Sequence, residues 1–178
     1  NAVRKAMNLP LVAHPADLFP HNTGGPQIVD VAGDQFGTDA QDILSAQYAY
    51  DAANNQLVYT MTLRNLSTTA TNMQWFMSSD FQANPTAPVT TLYVSMATGD
   101  TGPATFKYGT IVVSNGIRNQ TTLGTADAGE IRGNQVILRL SLAKVFAAVG
   151  YNVVGTTSTG TNAIAQLLIG TNASGGLL

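Results

Sequence analysis

Between Gln56 and Arg64 the chain reads QLVYTMTLR. Leu57, Tyr59, Met61 and Leu63 fall at every second position, with Val58, Thr60 and Thr62 between them. Side chains alternate across a strand, so this stretch predicts an antiparallel strand with one face buried and the other wet. Gln135 to Leu142 repeats the pattern through Val136, Leu138, Leu140 and Leu142. Shorter runs predict further strands at Ile43 to Tyr50, Met73 to Ser78, Val89 to Met96, Thr105 to Tyr108, Gly109 to Val113, Ile117 to Leu123 and Ala163 to Ile169. Turn signals fall at 51–55, 99–103, 114–116 and 127–133, and a Thr/Gly loop is read at 155–161. Only Ala143 to Val149, ended by Gly150, reads as a helical turn. Many short strands without a βαβ rhythm predict an all-β fold, an antiparallel β-sandwich or jelly roll with at most one short helix.

Residues 1–26 differ from this. They carry Pro10, Pro15, Pro20 and Pro26 and no sustained period, which predicts an extended Pro-rich lead-in or linker before a single sandwich domain at 27–178. Within it, Leu9, Leu11 and Val12 suit a short edge strand, and Leu18 and Phe19 suit a plug for one end of the sandwich. The chain opens at Asn1 with neither Met nor a leader, as a processed product or an excised piece would.

The charged residues are few, 10% of the chain, and four of the ten acidic ones fall between Asp30 and Asp42. Asp30, Asp34, Asp39 and Asp42, interleaved with Gly33 and Gly37, can bring carboxylate and carbonyl oxygens to one point, which suits a hard cation and Ca²⁺ above all. The spacing is not that of an EF-hand, and a turn-rich loop whose Asp side chains bond their own backbone accounts for the same residues. Trp75, Tyr93 and Tyr108, together with Tyr151, offer ring faces suited to stacking on sugars. Trp75, in a run reading MQWFM, equally suits the core between two sheets.

Several function classes lack the residues they need. A net charge of −2, with no basic cluster beyond Arg4-Lys5, leaves no cationic footprint for nucleic acid. With no cysteine there is no disulfide framework, thiolate metal site or thiol nucleophile. His14 and His21 flank Asp17, but a zinc site needs further ligands, and no G-x-S-x-G elbow accompanies them. Glu130 is the only glutamate, so paired carboxylates across a groove are not in view and catalysis is not expected. No apolar run is long enough to span a bilayer.

Asp30-x-x-Gly33-Asp34, Asp42-Ile43, the strand Gln56 to Leu63, Trp75, Tyr93-Val94, Phe106-Lys-Tyr108-Gly109 and the strand Val136 to Leu142 occur in that order. This pattern resembles the calcium-associated, jelly-roll-like β-sandwich modules appended to secreted bacterial proteases and other exported proteins. The likeness spans Ile28 to Ile169, and the chain stops soon after the strand where such modules usually continue into a closing one. It implies a secreted or cell-surface accessory module whose partner is its parent polypeptide, with Ca²⁺ in the loop carrying Asp30, Asp34, Asp39 and Asp42. Two other expectations stand beside it. One is a carbohydrate-binding module that meets polysaccharide through Trp75, Tyr93 and Tyr108. The other is a self-assembling subunit of a filament, sheath or surface layer, since low charge removes repulsion between copies and apolar segments at Leu9 to Ala13 and Ala163 to Leu178 can extend a neighbour's sheet.

Overall fold

A computed structural model describes residues 26, 28–34, 37–66, 71–83, 86–114, 117–151, 153 and, for the backbone, 157–167. All of the lead-in read at 1–26 except Pro26, His14 and His21 included, lies outside the described residues, as does 168–178. Among the described residues ten strands form two antiparallel five-stranded sheets. In chain order they are β1 (Ile28–Val29), β2 (Ile43–Asp51), β3 (Gln56–Leu63), β4 (Met73–Gln82), β5 (Thr90–Ala97), β6 (Thr105–Ser114), β7 (Ile117–Thr125), β8 (Ala128–Arg132), β9 (Gln135–Ser141) and β10 (Thr157–Leu167), with helix α1 (Leu142–Val149) after β9. The first sheet runs β1-β2-β3-β9-β8 and the second β10-β4-β5-β6-β7. The β-sandwich read from the alternation is therefore the fold.

The apolar positions of β3 and β9 point where the period placed them. Leu57, Tyr59, Met61, Leu63, Val136, Leu138 and Leu140 enter one core with Ala46 and Tyr48 of β2. From the second sheet Trp75, Met77, Phe81, Leu92, Val94 and Met96 meet them. Tyr48 and Tyr59 lie with ring centroids 5.8 Å apart, and burial pushes the Tyr59 hydroxyl pKa well up, so it stays neutral. Burying side chains of this size stabilises by roughly 1.5–3 kcal/mol each before conformational entropy is set against it.

Helix α1 seals one part of this core with Leu142, Val145 and Val149, spaced as one helical face. Its N-cap residue Ser141 makes no side-chain cap bond. Asp127, from the link between β7 and β8, ties down this end of the helix instead: its Oδ2 accepts the Ser141 N–H at 2.6 Å and its Oδ1 pairs with Lys144 Nζ at 2.8 Å. Burial works against the charged form, but the Lys144 and Ser141 bonds outweigh it and hold the Asp127 carboxyl below the ordinary range. Gly150 ends the helix with φ 84°, where an L side chain would be strained, and donates its N–H to Phe146 O at 2.9 Å.

Three expectations change. Residues 127–133, read as a turn, hold strand β8, which pairs with β9 from Ala128↔Arg139 to Arg132↔Gln135. Gly129 within it pairs with Leu138, and it is glycine because the Phe106 ring occupies the space a Cβ would need. Residues 105–113, read as two pieces, form the single strand β6. The Thr/Gly loop at 155–161 gives way from Thr157 to β10, which pairs along nearly the whole of β4 with a bulge between Ser158 and Gly160.

Candidate functional site

The acidic stretch leaves β1 and returns to β2. Asp30 sits at the exposed exit of β1, its N–H bonded to Leu44 O at 3.1 Å and its Oδ1 accepting the Val31 N–H at 2.9 Å. Gly33 follows with φ 89°, and its N–H donates to Asp42 Oδ2 at 2.7 Å, which draws the two ends of the loop together. Asp34 is exposed. Thr38 to Gln41 closes a turn twice over. Gln41 N–H donates to Thr38 O at 2.8 Å, and Gln41 Oε1 accepts the Thr38 N–H at 3.1 Å.

Asp39 and Asp42 meet a cation of the chain itself. Arg64 Nη1 lies 3.7 Å from Asp39 Oδ1 and 3.7 Å from Asp42 Oδ2. Backbone bonds set that meeting: Arg64 N–H donates to Asp42 O at 2.9 Å and Asn65 N–H to Asp39 O at 3.2 Å. Asp42 is 1% exposed, and its Oδ1 has no hydrogen-bond partner among the described residues. A carboxylate so buried costs free energy unless its oxygens are satisfied. Arg64 is half exposed, so its contribution is partly screened by water.

Of the four expected ligands, then, Asp39 and Asp42 come together around Arg64, while Asp30 bonds its own backbone and Asp34 faces solvent. Among the described residues no three His, Cys, Asp or Glu side chains are grouped so as to hold a metal ion. Arg64 is the site residue that sequence reasoning missed. Only its place at the end of β3, opposite the start of β2, would have pointed to it.

The aromatic platform expected from Trp75, Tyr93 and Tyr108 does not form. Trp75 faces inward at 1% exposure, its indole Nε1–H bonded to Ala40 O at 2.8 Å. Tyr108 stands opposite Val94 in the β5–β6 register, so it too faces the core, half-buried, with Lys144 Nζ 5.5 Å from its ring centroid. Tyr93 faces away from that core on the other side of the same sheet, yet it is 1% exposed. Three rings split between two faces, two of them sealed, cannot present one surface to a glycan. Tyr151 is half-buried against the main core.

Several other charged groups are tied into the framework. Glu130 Oε1 meets Arg132 at 2.8 Å and Arg139 at 3.4 Å. Asp51 caps the β2–β3 turn through Ala53 and Asn54, and the Asn54 side-chain bond leads in lowering its pKa. Asp80 accepts Thr91 Oγ1–H at 2.6 Å between β4 and β5. No described helix is long and apolar enough to cross a membrane. Comparison of the chain with family models, with curated proteins and with solved structures found no match.

Proposed function

We propose that the chain is a non-catalytic accessory module, a β-sandwich that stabilises or anchors a larger exported bacterial polypeptide outside the cell or at its surface. The observation that supports this reading is the use to which the charged side chains are put. Asp39, Asp42 and Arg64 fasten the acidic loop to the β2–β3 pair; Asp127 and Lys144 fasten the helix; Glu130 fastens β8 to β9. Groups committed to holding strands together are poorly placed to move protons on a substrate. The chain is expected to unfold in one cooperative transition, to resist proteolysis between residues 28 and 167, and to pass through insoluble polysaccharide unretained. Retention on a glycan, or turnover of a peptide or glycoside substrate lost on substituting one of its carboxylates, would overturn the reading.

Ca²⁺ belongs to this proposal as a ligand of the loop, supported by the buried, unpartnered Asp42 Oδ1, which a hard cation would satisfy. Arg64 already supplies positive charge there, and a bound ion has to displace it and gather Asp30 and Asp34 as well. Melting with added CaCl₂ and with EDTA decides this. A ligand bound only by the native state at a hundredfold excess over Kd stabilises by about 2.7 kcal/mol, a shift that Asp42→Asn should abolish. An identical melt in both solutions removes calcium and leaves the module.

One observation favours assembly as a second reading. Edge strand β7 exposes Ile117 at 63% and Leu123 at 46%, beside Val112 and Val113 of β6 at 57% and 66%. An edge of this length with little charge invites pairing with another chain, although the register shift at Tyr108/Gly109 twists it. Light scattering over a range of concentrations separates the readings, since a strict monomer ends the second.

A further inference from the structure

The β6–β7 hairpin runs on past the strand beside it. β5 pairs with β6 from Ala97↔Thr105 only as far as Thr91↔Ile111, whereas β6 and β7 stay paired through Val112↔Asn119 and Val113↔Arg118 to Ser114↔Ile117. Beyond Ile111 the second sheet is thus a ribbon of two strands. Both its faces are open: Val112 and Val113, neighbours in one strand and so on opposite sides of it, are each more than half exposed, as is Ile117. Asn119, Gln120, Thr121 and Thr122 of β7 are exposed as well. A two-stranded ribbon is marginal in water, and a third strand is what ordinarily makes it hold. β7 is the last described strand of its sheet, so its outer edge carries a row of N–H and C=O groups ready for one. The other edges are less inviting. β1 has two residues, β8 has five with Glu130 and Arg132 among them, and β10 has β1 and β2 of the first sheet close by.

We propose that a second copy of this chain adds its own β7 to this edge, antiparallel, about a two-fold axis at Gln120, so that the two second sheets run on as one. The proposal rests on the assembly reading and names its surface and partner. Three observations select a second copy over an unrelated strand. The first is self-complementarity, which a two-fold contact requires. With the axis at Gln120, Ile117 of each copy falls beside Leu123 of the other, and Asn119 beside Thr121. The second is charge. Arg118 is the only charged residue among the nine of β7, and it comes opposite Thr122, so no like charges meet across the axis. The third is mutual need: each copy brings the same two-stranded ribbon, and pairing makes a four-stranded piece of both. The irregularity in the β6–β7 register lies beyond Thr122, which leaves residues 117–122 regular for the new ladder.

Sedimentation equilibrium tests it on the full chain, on Gln120→Lys, on Gln120→Glu and on an equal mixture of the two variants. Gln120 is exposed, so both variants should fold, which their melting curves check. The expected result is a dimer of the wild type, at least tenfold weaker in each variant alone because like charges face one another across the axis. The mixture should recover the dimer, since Lys then meets Glu. The chain has no cysteine, so Gln120→Cys supplies a second reading: residues opposite in an antiparallel pair are close enough for a disulfide. Oxidation should link Gln120→Cys into covalent dimers several-fold faster than Ala128→Cys on the β8 edge. A dimer that both charge variants leave intact, or that Ala128→Cys captures equally well, overturns this pairing and leaves assembly through another surface standing. A wild type that stays monomeric at every concentration overturns the pairing and the assembly reading together.

Discussion

Trp75 and Ala40, thirty-five residues apart, are joined inside the core: the indole Nε1–H donates to the Ala40 carbonyl oxygen at 2.8 Å, with both residues nearly inaccessible. The acidic loop is therefore anchored to the second sheet as well as to the first. Replacing Trp75 with Phe removes the donor, keeps much of the apolar volume and leaves the Ala40 carbonyl buried without that partner. The expected cost is about 1–3 kcal/mol, read from the denaturant midpoint. Amide exchange across 38–42 should quicken more than exchange in β9, because the loop loses its tether first.

Arg64 and Asp42 act as a pair, so their single substitutions should not add. Arg64→Met strands a carboxylate at 1% exposure and is expected to cost about 1–3 kcal/mol, while Asp42→Asn/Arg64→Met costs less than the sum of the two changes. A double-mutant cycle measured in urea supplies the coupling. Strict additivity would mean that the guanidinium and the carboxylate are merely neighbours.

Asp127 gives a pH dependence with a definite sign. Its folded pKa lies below the unfolded value of about 3.9, so its contribution is fully present above that value and disappears as pH falls through the folded pKa. Asp127→Asn should therefore lower stability by about 0.5–1.5 kcal/mol near neutrality, with solvent screening of the partly exposed pair keeping it at that scale. Against wild type the gap should close as pH falls through the lowered folded pKa. Urea midpoints across a pH series measure it, and a gap that persists in strong acid would contradict the assignment.

Gly129 has no room to become alanine. The Phe106 ring fills the position of its missing Cβ, so Gly129→Ala is expected to destabilise by about 1–3 kcal/mol through overpacking, lowering Tm by roughly 2–12 °C. Gly129→Ala/Phe106→Leu should recover part of the loss, which a simple weakening of strand propensity would not allow.

How far the sequence could be read followed from where apolar residues mark a period. Leu57 to Leu63 and Val136 to Leu142 declare both their strands and their buried faces, and with them the fold class. Ala128–Arg132 and Thr157–Leu167 do not. Ala128–Arg132 is five residues with a single apolar side chain larger than Ala, and Thr157–Asn162, ahead of the strand read from Ala163, is made of Thr, Ser, Gly and Asn; both become strand because β9 and β4 offer long ladders to pair with. In the loop, four aspartates look equivalent in one dimension. Which of them turns inward depends on Gly33 reaching Asp42, and on a β2–β3 register that brings Arg64 to Asp42 from twenty-two residues away. Trp75 and Tyr93 show the same limit, because the β4–β5 register, which no local pattern declares, puts them on opposite faces and both are buried there.

The pairing of β10 with β4 also sets an order of events in folding. β4 can zip to β5 across a short turn as soon as both are made, but its other edge waits for Thr157–Leu167, beyond five intervening strands and the helix. Closing so long a loop is slow compared with forming hairpins, because its entropy must be overcome before any ladder bond forms. Until then β4, with Phe76 and Phe81 along it, is an open edge on a half-finished sheet, and that interval is when the chain is most prone to pair with the wrong partner.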